Sequence, residues 1–169
     1  VLSRGWPGKA LAQLLWLPLL WPDRQRPAPG EVELQVIDVG QGLSVLVRTA
    51  GHTLLYDMGP GQPDGFDAGA SVVVPALHAL GVRRLDAAVV SHGDNDHAGG
   101  FGAVAGAFPP GVVYAPEGLG KGVAASAAPT MGMRSDCRAN LHWTWDGVEF
   151  PFLHPPPWFP YLENDSSCV

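Results

Sequence analysis

The chain has 169 residues, 46% of them hydrophobic, with a net charge of −6 and a pI near 5.3. This suits a single globular domain with a real core and excludes the basic footprint of a duplex-binding module. Charged residues make up only 15%, and 22 Gly with 17 Pro argue for short elements and many turns rather than long helices.

The N-terminal 30 residues differ from the rest. Residues 10–21 are apolar, broken only by Gln13 and Pro18, with Arg4 and Lys9 before them. The run is shorter than the roughly 20 residues that cross a bilayer, and no small-residue cleavage site follows it. It reads as the end of a membrane segment or an interfacial stretch, with Trp16 and Trp21 suited to an interfacial belt; a buried core helix is the alternative. Pro22 to Gly30 reads as a linker. The domain division is therefore 1–30, membrane-proximal, and 31–169, globular.

From Glu31 the pattern becomes β. Val32, Leu34 and Val36 alternate with polar residues, as in a half-buried strand. Gly turns at 40–42 and 51 separate further strands over Leu43–Thr49 and His52–Tyr56, giving a meander. Asp67 to Leu80 has helical spacing, with Asp67 as N-cap and Gly81 as C-cap. Leu85–Val90 is an apolar run expected of a strand buried on both faces. A short helix over 99–107 stops before Pro109-Pro110, and Val112–Ala115 is another strand. Pro116–Arg138, rich in small residues, reads as a long surface loop. Asp146-Gly147 between Leu141–Trp145 and Val148–Leu153 is a two-residue hairpin signal.

The chemistry concentrates in Ser91-His92-Gly93-Asp94-Asn95-Asp96-His97. Four metal-ligand side chains fall in six residues, at the carboxyl end of the apolar strand, where α/β sheets commonly place chemistry. One cation cannot easily take all four at this spacing. Two can: His92 with Asp94, and Asp96 with His97. Gly93 and Asn95 would permit unusual backbone angles between ligands, and Gly99-Gly100 a close approach of the next helix. A dinuclear centre can clamp attacking and leaving oxygens and generate hydroxide at neutral pH. The competing reading is an acidic loop with Asp96 as a helix N-cap.

Other candidates are single residues. Asp57, after the third strand, either orients a ligand histidine or forms the turn before Gly59. His154 is a third ligand or a structural residue before Pro155-Pro156-Pro157. Asn164 and Ser166 bind substrate or cap a strand. His52, His78 and His142 have no ligand neighbours and read as structural. Cys137 and Cys168 lack zinc-knuckle spacing and are either a pair or two buried thiols. Residues 31–169 hold six Lys/Arg against fifteen Asp/Glu, so an anionic substrate would need bound cations.

Residues 91–100, Ser-His-Gly-Asp-Asn-Asp-His-Ala-Gly-Gly, resemble the His-x-[His/Asp]-x-Asp-His motif of the metallo-β-lactamase superfamily. With Asp94 where most members have His, the run is similar to the C-terminal domain of ComEC-type DNA-internalisation proteins of natural competence. Asp38-Val39-Gly40-Gln41-Gly42, Leu54 to Gly59, Leu153-His154-Pro155 and Asn164-Asp165-Ser166-Ser167 match further runs of that family in order. The resemblance implies an α+β fold, an αβ/βα sandwich with metals at its edge. It implies catalytic roles for Asp96 and Asp57, metal ligation by His92, Asp94, Asp96, His97 and His154, and substrate contacts by Asn164 and Ser166.

It further implies an inner-membrane DNA-uptake protein whose periplasmic domain degrades the strand left outside. Its partners would be DNA, the membrane through residues 1–21, and the rest of the uptake machinery. A periplasmic location favours pairing of Cys137 with Cys168. Asp94 hardens the ligand set and moves preference from Zn²⁺ toward Mn²⁺ or Mg²⁺, so the two expected divalent ions are Mn²⁺ or Zn²⁺. The family's later Gly-Asp and His-His-Gly-Ser runs are not in the sequence. The expectation is an incomplete C-terminal half, active as a metallo-hydrolase only at full length. The alternatives are another hydrolase of the superfamily, acting on a lactone, thioester or phosphoester, and a non-catalytic structural or DNA-guiding module.

Overall fold

The computed structural model describes residues 12–16, 26–62, 64–116, 119, 133–160 and 167–169. Most of the apolar run 10–21 lies outside them; Leu14, Leu15 and Trp16 within it are exposed. Among the described residues no helix is long and apolar enough to cross a membrane.

Six strands form one sheet in chain order: β1 (Glu33–Val36), β2 (Val45–Arg48), β3 (Thr53–Tyr56), β4 (Ala87–Val89), β5 (Val112–Ala115) and β6 (Met133–Asp136). The first three pair antiparallel, as short Gly turns allow; β3 to β6 pair parallel. Parallel neighbours need long crossovers, and helices supply two of them. The first crossover is a π-helical turn, Gly69–Val73, running into α1 (Val74–Ala79). The expected single helix is thus in two parts. Pro75 has no N–H to continue an α-helical ladder, so the change of hydrogen-bond spacing falls just ahead of it. Asp67 caps as expected, its carboxylate accepting the Ala70 N–H at 3.0 Å. Gly81 ends the helix at φ +70.

The second crossover carries two short helices, α2 (Asn95–Ala98) and α3 (Phe101–Ala107). Two sequence expectations need correction. Met133–Asp136 is a strand rather than loop, a short polar segment whose β character comes from pairing with β5. Gly93 and Asn95 do not use positive φ; Asp57 does, at +56°.

The two faces of the sheet bury different partners. Leu46, Leu55, Ala88 and Val113 pack with Val73, Leu77, Phe101, Val104 and Phe108 from the helices. On the other face Leu54, Ala87 and Val89 meet Phe152 and the aromatic side of a hairpin, β7 (His142–Trp145) and β8 (Val148–Pro151). Trp143 stacks on Tyr114 at 5.0 Å and on Phe150 at 5.4 Å. The hairpin turns at Asp146 (φ +51) and Gly147 (φ +84), the conformation that Asp-Gly favours.

Asp146 also latches the hairpin to the β2–β3 turn. Its carboxylate accepts from Thr49 Oγ1 (2.6 Å) and Gly51 N–H (2.7 Å) and lies 3.0 Å from His52 Nδ1, while His52 stacks on Trp145. His52 is therefore structural. The hairpin cover does not reach β1. Leu34 and Val36 share the inner face with Val47 and Val45, yet they are 65% and 72% exposed. The alternation in β1 marks the correct face, but that face is open at this edge.

Candidate metal centre

Three main-chain segments converge at the carboxyl ends of β3 and β4: the glycine loop before β2, the turn after β3, and residues 91–100. Their backbones bond directly. Met58 N–H donates to the His97 carbonyl (2.9 Å), Leu43 N–H to that of Asp96 (3.2 Å) and Gly100 N–H to that of Gly59 (2.9 Å). Such approach leaves no room for side chains. A Cβ on Gly42 would lie 2.0 Å from the Asp96 carbonyl oxygen, and one on Gly100 2.3 Å from that of Met58.

Buried β4 delivers the chain to Ser91. Asp94 then adopts the extended N-cap conformation, and its carbonyl accepts from His97 and Ala98 N–H. Asp94 rather than Asp96 holds the cap position, and its side chain does not cap the helix. One turn of helix follows and carries Asp96 and His97, both half-buried.

The structure brings the four motif side chains together in two pairs. His92 Nε2 lies 3.6 Å from Asp94 Oδ2, and His97 Nε2 lies 3.9 Å from Asp96 Oδ2. The two imidazole rings are 4.1 Å apart. Asp57, fully buried, stands behind them. Its Oδ2 is 2.8 Å from His97 Nδ1 and accepts the Ser91 hydroxyl at 2.6 Å; its Oδ1 accepts the Ser91 N–H at 2.7 Å. Burial raises the Asp57 carboxyl above the usual range, against the opposing effect of these hydrogen bonds and of His97. Burial, with the Asp57 charge adding to it, also pushes Tyr56 up to about 12.

Cys168 also reaches this region. Cys168 donates its N–H to the Ser91 carbonyl (2.8 Å), and its own carbonyl accepts the Tyr56 hydroxyl at 2.5 Å. A disulfide joins Cys168 to Cys137 across 31 residues, so the two cysteines are a pair. Among the described residues, His154 does not join the four into a group of three or more converging donors. Its Nδ1 lies 3.0 Å from the Ser167 carbonyl, and its ring meets Phe159 edge-on. Asn164 and Ser166 lie outside the described residues.

By chemistry, imidazole and carboxylate donors are of the type that binds divalent cations. Each histidine has Nδ1 engaged by protein and Nε2 beside a carboxylate, the orientation that metal-bound imidazoles need. His92 with Asp94, and Asp96 with His97, are the residues that would hold the ions. Among the described residues no three His, Cys, Asp or Glu side chains converge on one point. The donors stand two by two. Sequence reasoning passed over Ser91 and Tyr56. The available signal was a hydroxyl residue between a buried strand and the first histidine.

Residues 37–163 match the model of the metallo-beta-lactamase superfamily. The chain belongs to the metallo-β-lactamase superfamily. It is 43% identical over 139 residues to "Competence protein ComA" of Neisseria gonorrhoeae, covering 82% of this chain and 18% of that protein. It is 32% identical over 137 residues to "Recombination protein 2" of Haemophilus influenzae, covering 81% of this chain and 16% of that one. A shorter match, 38% over 81 residues, is to "ComE operon protein 3" of Bacillus subtilis. The chain thus spans less than a fifth of the length of these relatives.

Proposed function

We propose that this domain is the metal-dependent phosphodiesterase part of a larger inner-membrane DNA-uptake protein, degrading the DNA strand that is not transported. The observation that carries the reading is the doubled His–carboxylate arrangement, with both imidazoles tied back toward one buried Asp57. Names of relatives that concern competence support the DNA substrate. The excess of acidic residues suits a site that meets a polyanion through cations. The disulfide supports an oxidising compartment, hence the periplasmic side of the membrane.

In this reading His92 with Asp94 holds one ion, and Asp96 with His97 the other. Asp94 supplies oxygen where imidazole would favour Zn²⁺, so Mn²⁺ is the preferred metal. Bound ions would supply Lewis acidity and a water of lowered pKa. The protein's part is to hold the ligands rigid through Asp57 and the close-packed glycines. His154, with Asn164 and Ser166, remains the proposed third ligand and substrate contacts.

The test is cleavage of single-stranded DNA by the longer protein with Mn²⁺, wild type against Asp96→Ala. Loss of cleavage by at least a hundredfold is expected. Equal cleavage by both would remove Asp96 from the chemistry. A second reading, a metal-free structural or DNA-guiding module, draws on the pairwise rather than convergent donors. It predicts no uptake of Mn²⁺ or Zn²⁺ in a micromolar titration of the same protein.

A further inference from the structure

Ser91 carries a hydroxyl that the metal-ligand motif does not use. The residue is 4% exposed. Its Oγ lies 2.6 Å from Asp57 Oδ2, 2.9 Å from His92 Nδ1 and 3.5 Å from His97 Nδ1. Its N–H binds the other oxygen of the same carboxylate at 2.7 Å.

The hydrogen-bond roles follow from chemistry. Ser91 Oγ is the donor to Asp57 Oδ2, and a serine hydroxyl has one proton. Ser91 therefore gives its proton to Asp57 and turns a lone pair toward His92. His92 must then donate from Nδ1. His97 Nδ1, 2.8 Å from the same Asp57 oxygen, donates as well. The order is His92 Nδ1–H to Ser91 Oγ–H to Asp57 Oδ2, with His97 Nδ1–H meeting that oxygen from the other side. Each imidazole keeps its lone pair on Nε2, the atom that faces Asp94 or Asp96.

We infer that Ser91 is a positioning residue: it relays the Asp57 carboxylate to His92, so that one buried acid sets the tautomer and orientation of both histidines. Asp57 reaches His97 directly and reaches His92 only through this hydroxyl. The relay exists without metal; its effect on metal affinity rests on the metal-site reading proposed above.

The test separates the two. Imidazole ¹⁵N NMR on the metal-free 169-residue chain, at about pH 8 where unperturbed histidines are neutral, reads each tautomer. In the wild type, His92 and His97 both carry the proton on Nδ1. In Ser91→Ala, His97 keeps this form while His92 shifts toward Nε2–H; Ser91→Thr, which retains the hydroxyl, restores it. Zn²⁺ titration of the same proteins gives affinity about tenfold lower for Ser91→Ala, within the usual range for removing a residue that orients a ligand. An Nε2–H tautomer at His92 in the wild type, or an unchanged His92 in folded Ser91→Ala, overturns the inference. The wild-type spectrum alone decides it if the alanine variant does not fold. Wild-type tautomers as stated, with no Zn²⁺ uptake, support the relay and overturn the metal reading instead.

Discussion

Gly42→Ala tests whether the glycine loop sets the position of Asp96. Gly42 sits at φ +114, and a Cβ there would come within 2.0 Å of the Asp96 carbonyl oxygen. A carbon normally keeps ~3.3 Å or more from such an oxygen, so the two backbones must part by about 1 Å. Neither is a flexible side-chain tip that could step aside. The Leu43 N–H bond to the same carbonyl is lost with that movement. Strain at a glycine-type φ costs about 1–3 kcal/mol, and the hydrogen bond adds ~1 kcal/mol.

The expected destabilisation of Gly42→Ala is thus about 2–4 kcal/mol, a fall in Tm of roughly 5–15 °C for a domain of this size. Displacing Asp96 by ~1 Å should lower metal-dependent turnover about a hundredfold. Gly106→Ala is the control: it lies within α3 with nothing inside 4 Å of its Cβ, and should be stabilising by about 0.5–1 kcal/mol. Thermal unfolding by circular dichroism compares the three proteins, and Mn²⁺-dependent cleavage follows in the longer protein. If Gly42→Ala melts with the wild type and cleaves as fast, the backbone contact does not position the ligand loop.

The Asp146 latch carries a pH dependence. Its carboxyl is held well below the usual range by bonds from Thr49, His52 and Gly51, so the ionised form is favoured in the folded state. The stability it adds is present above the unfolded carboxylate pKa of about 4 and is lost as pH falls through the lowered folded value. Asp146→Asn should therefore flatten the urea midpoint's dependence on pH below about pH 4; an identical slope in both proteins would count against the latch. Reducing the disulfide, or replacing both cysteines by serine, releases a loop with a sequence separation of 31. That should cost about 3–4 kcal/mol, read as a lower urea midpoint with dithiothreitol. An unchanged midpoint would show the C-terminal segment to be held by its hydrogen bonds alone.

Much of the fold was legible because local signals and tertiary structure agree. Asp146-Gly147 set the hairpin, Gly81 ended the helix, and the apolar run Leu85–Val90 contains the central buried strand Ala87–Val89. The candidate loop was legible because its four donor side chains lie close together in sequence, within six residues. The misses share a cause. Met133–Asp136 has no apolar alternation, and only its neighbour β5 makes it a strand. Ser91 gains its role from Asp57, 34 residues away, and no short-range pattern records that contact. Leu34 and Val36 announce a buried face, yet burial depends on how far the covering hairpin extends. The Cys137–Cys168 bond could be weighed from sequence, but not its placement beside residues 91–97.

The open face of β1 has a consequence for solution behaviour. Leu34 and Val36 meet water on a strand at the edge of the sheet, with exposed Val32 just before them. This makes one rim of an acidic molecule locally amphiphilic. The strand is four residues long and is flanked by Glu31, features that blunt edge-to-edge pairing. Net charge keeps molecules apart at low ionic strength, and salt screens that repulsion within roughly 10 Å at 0.1 M. Salting-out anions also strengthen apolar contact. The expected consequence is a domain that stays dispersed at low ionic strength and that sulfate brings together through β1.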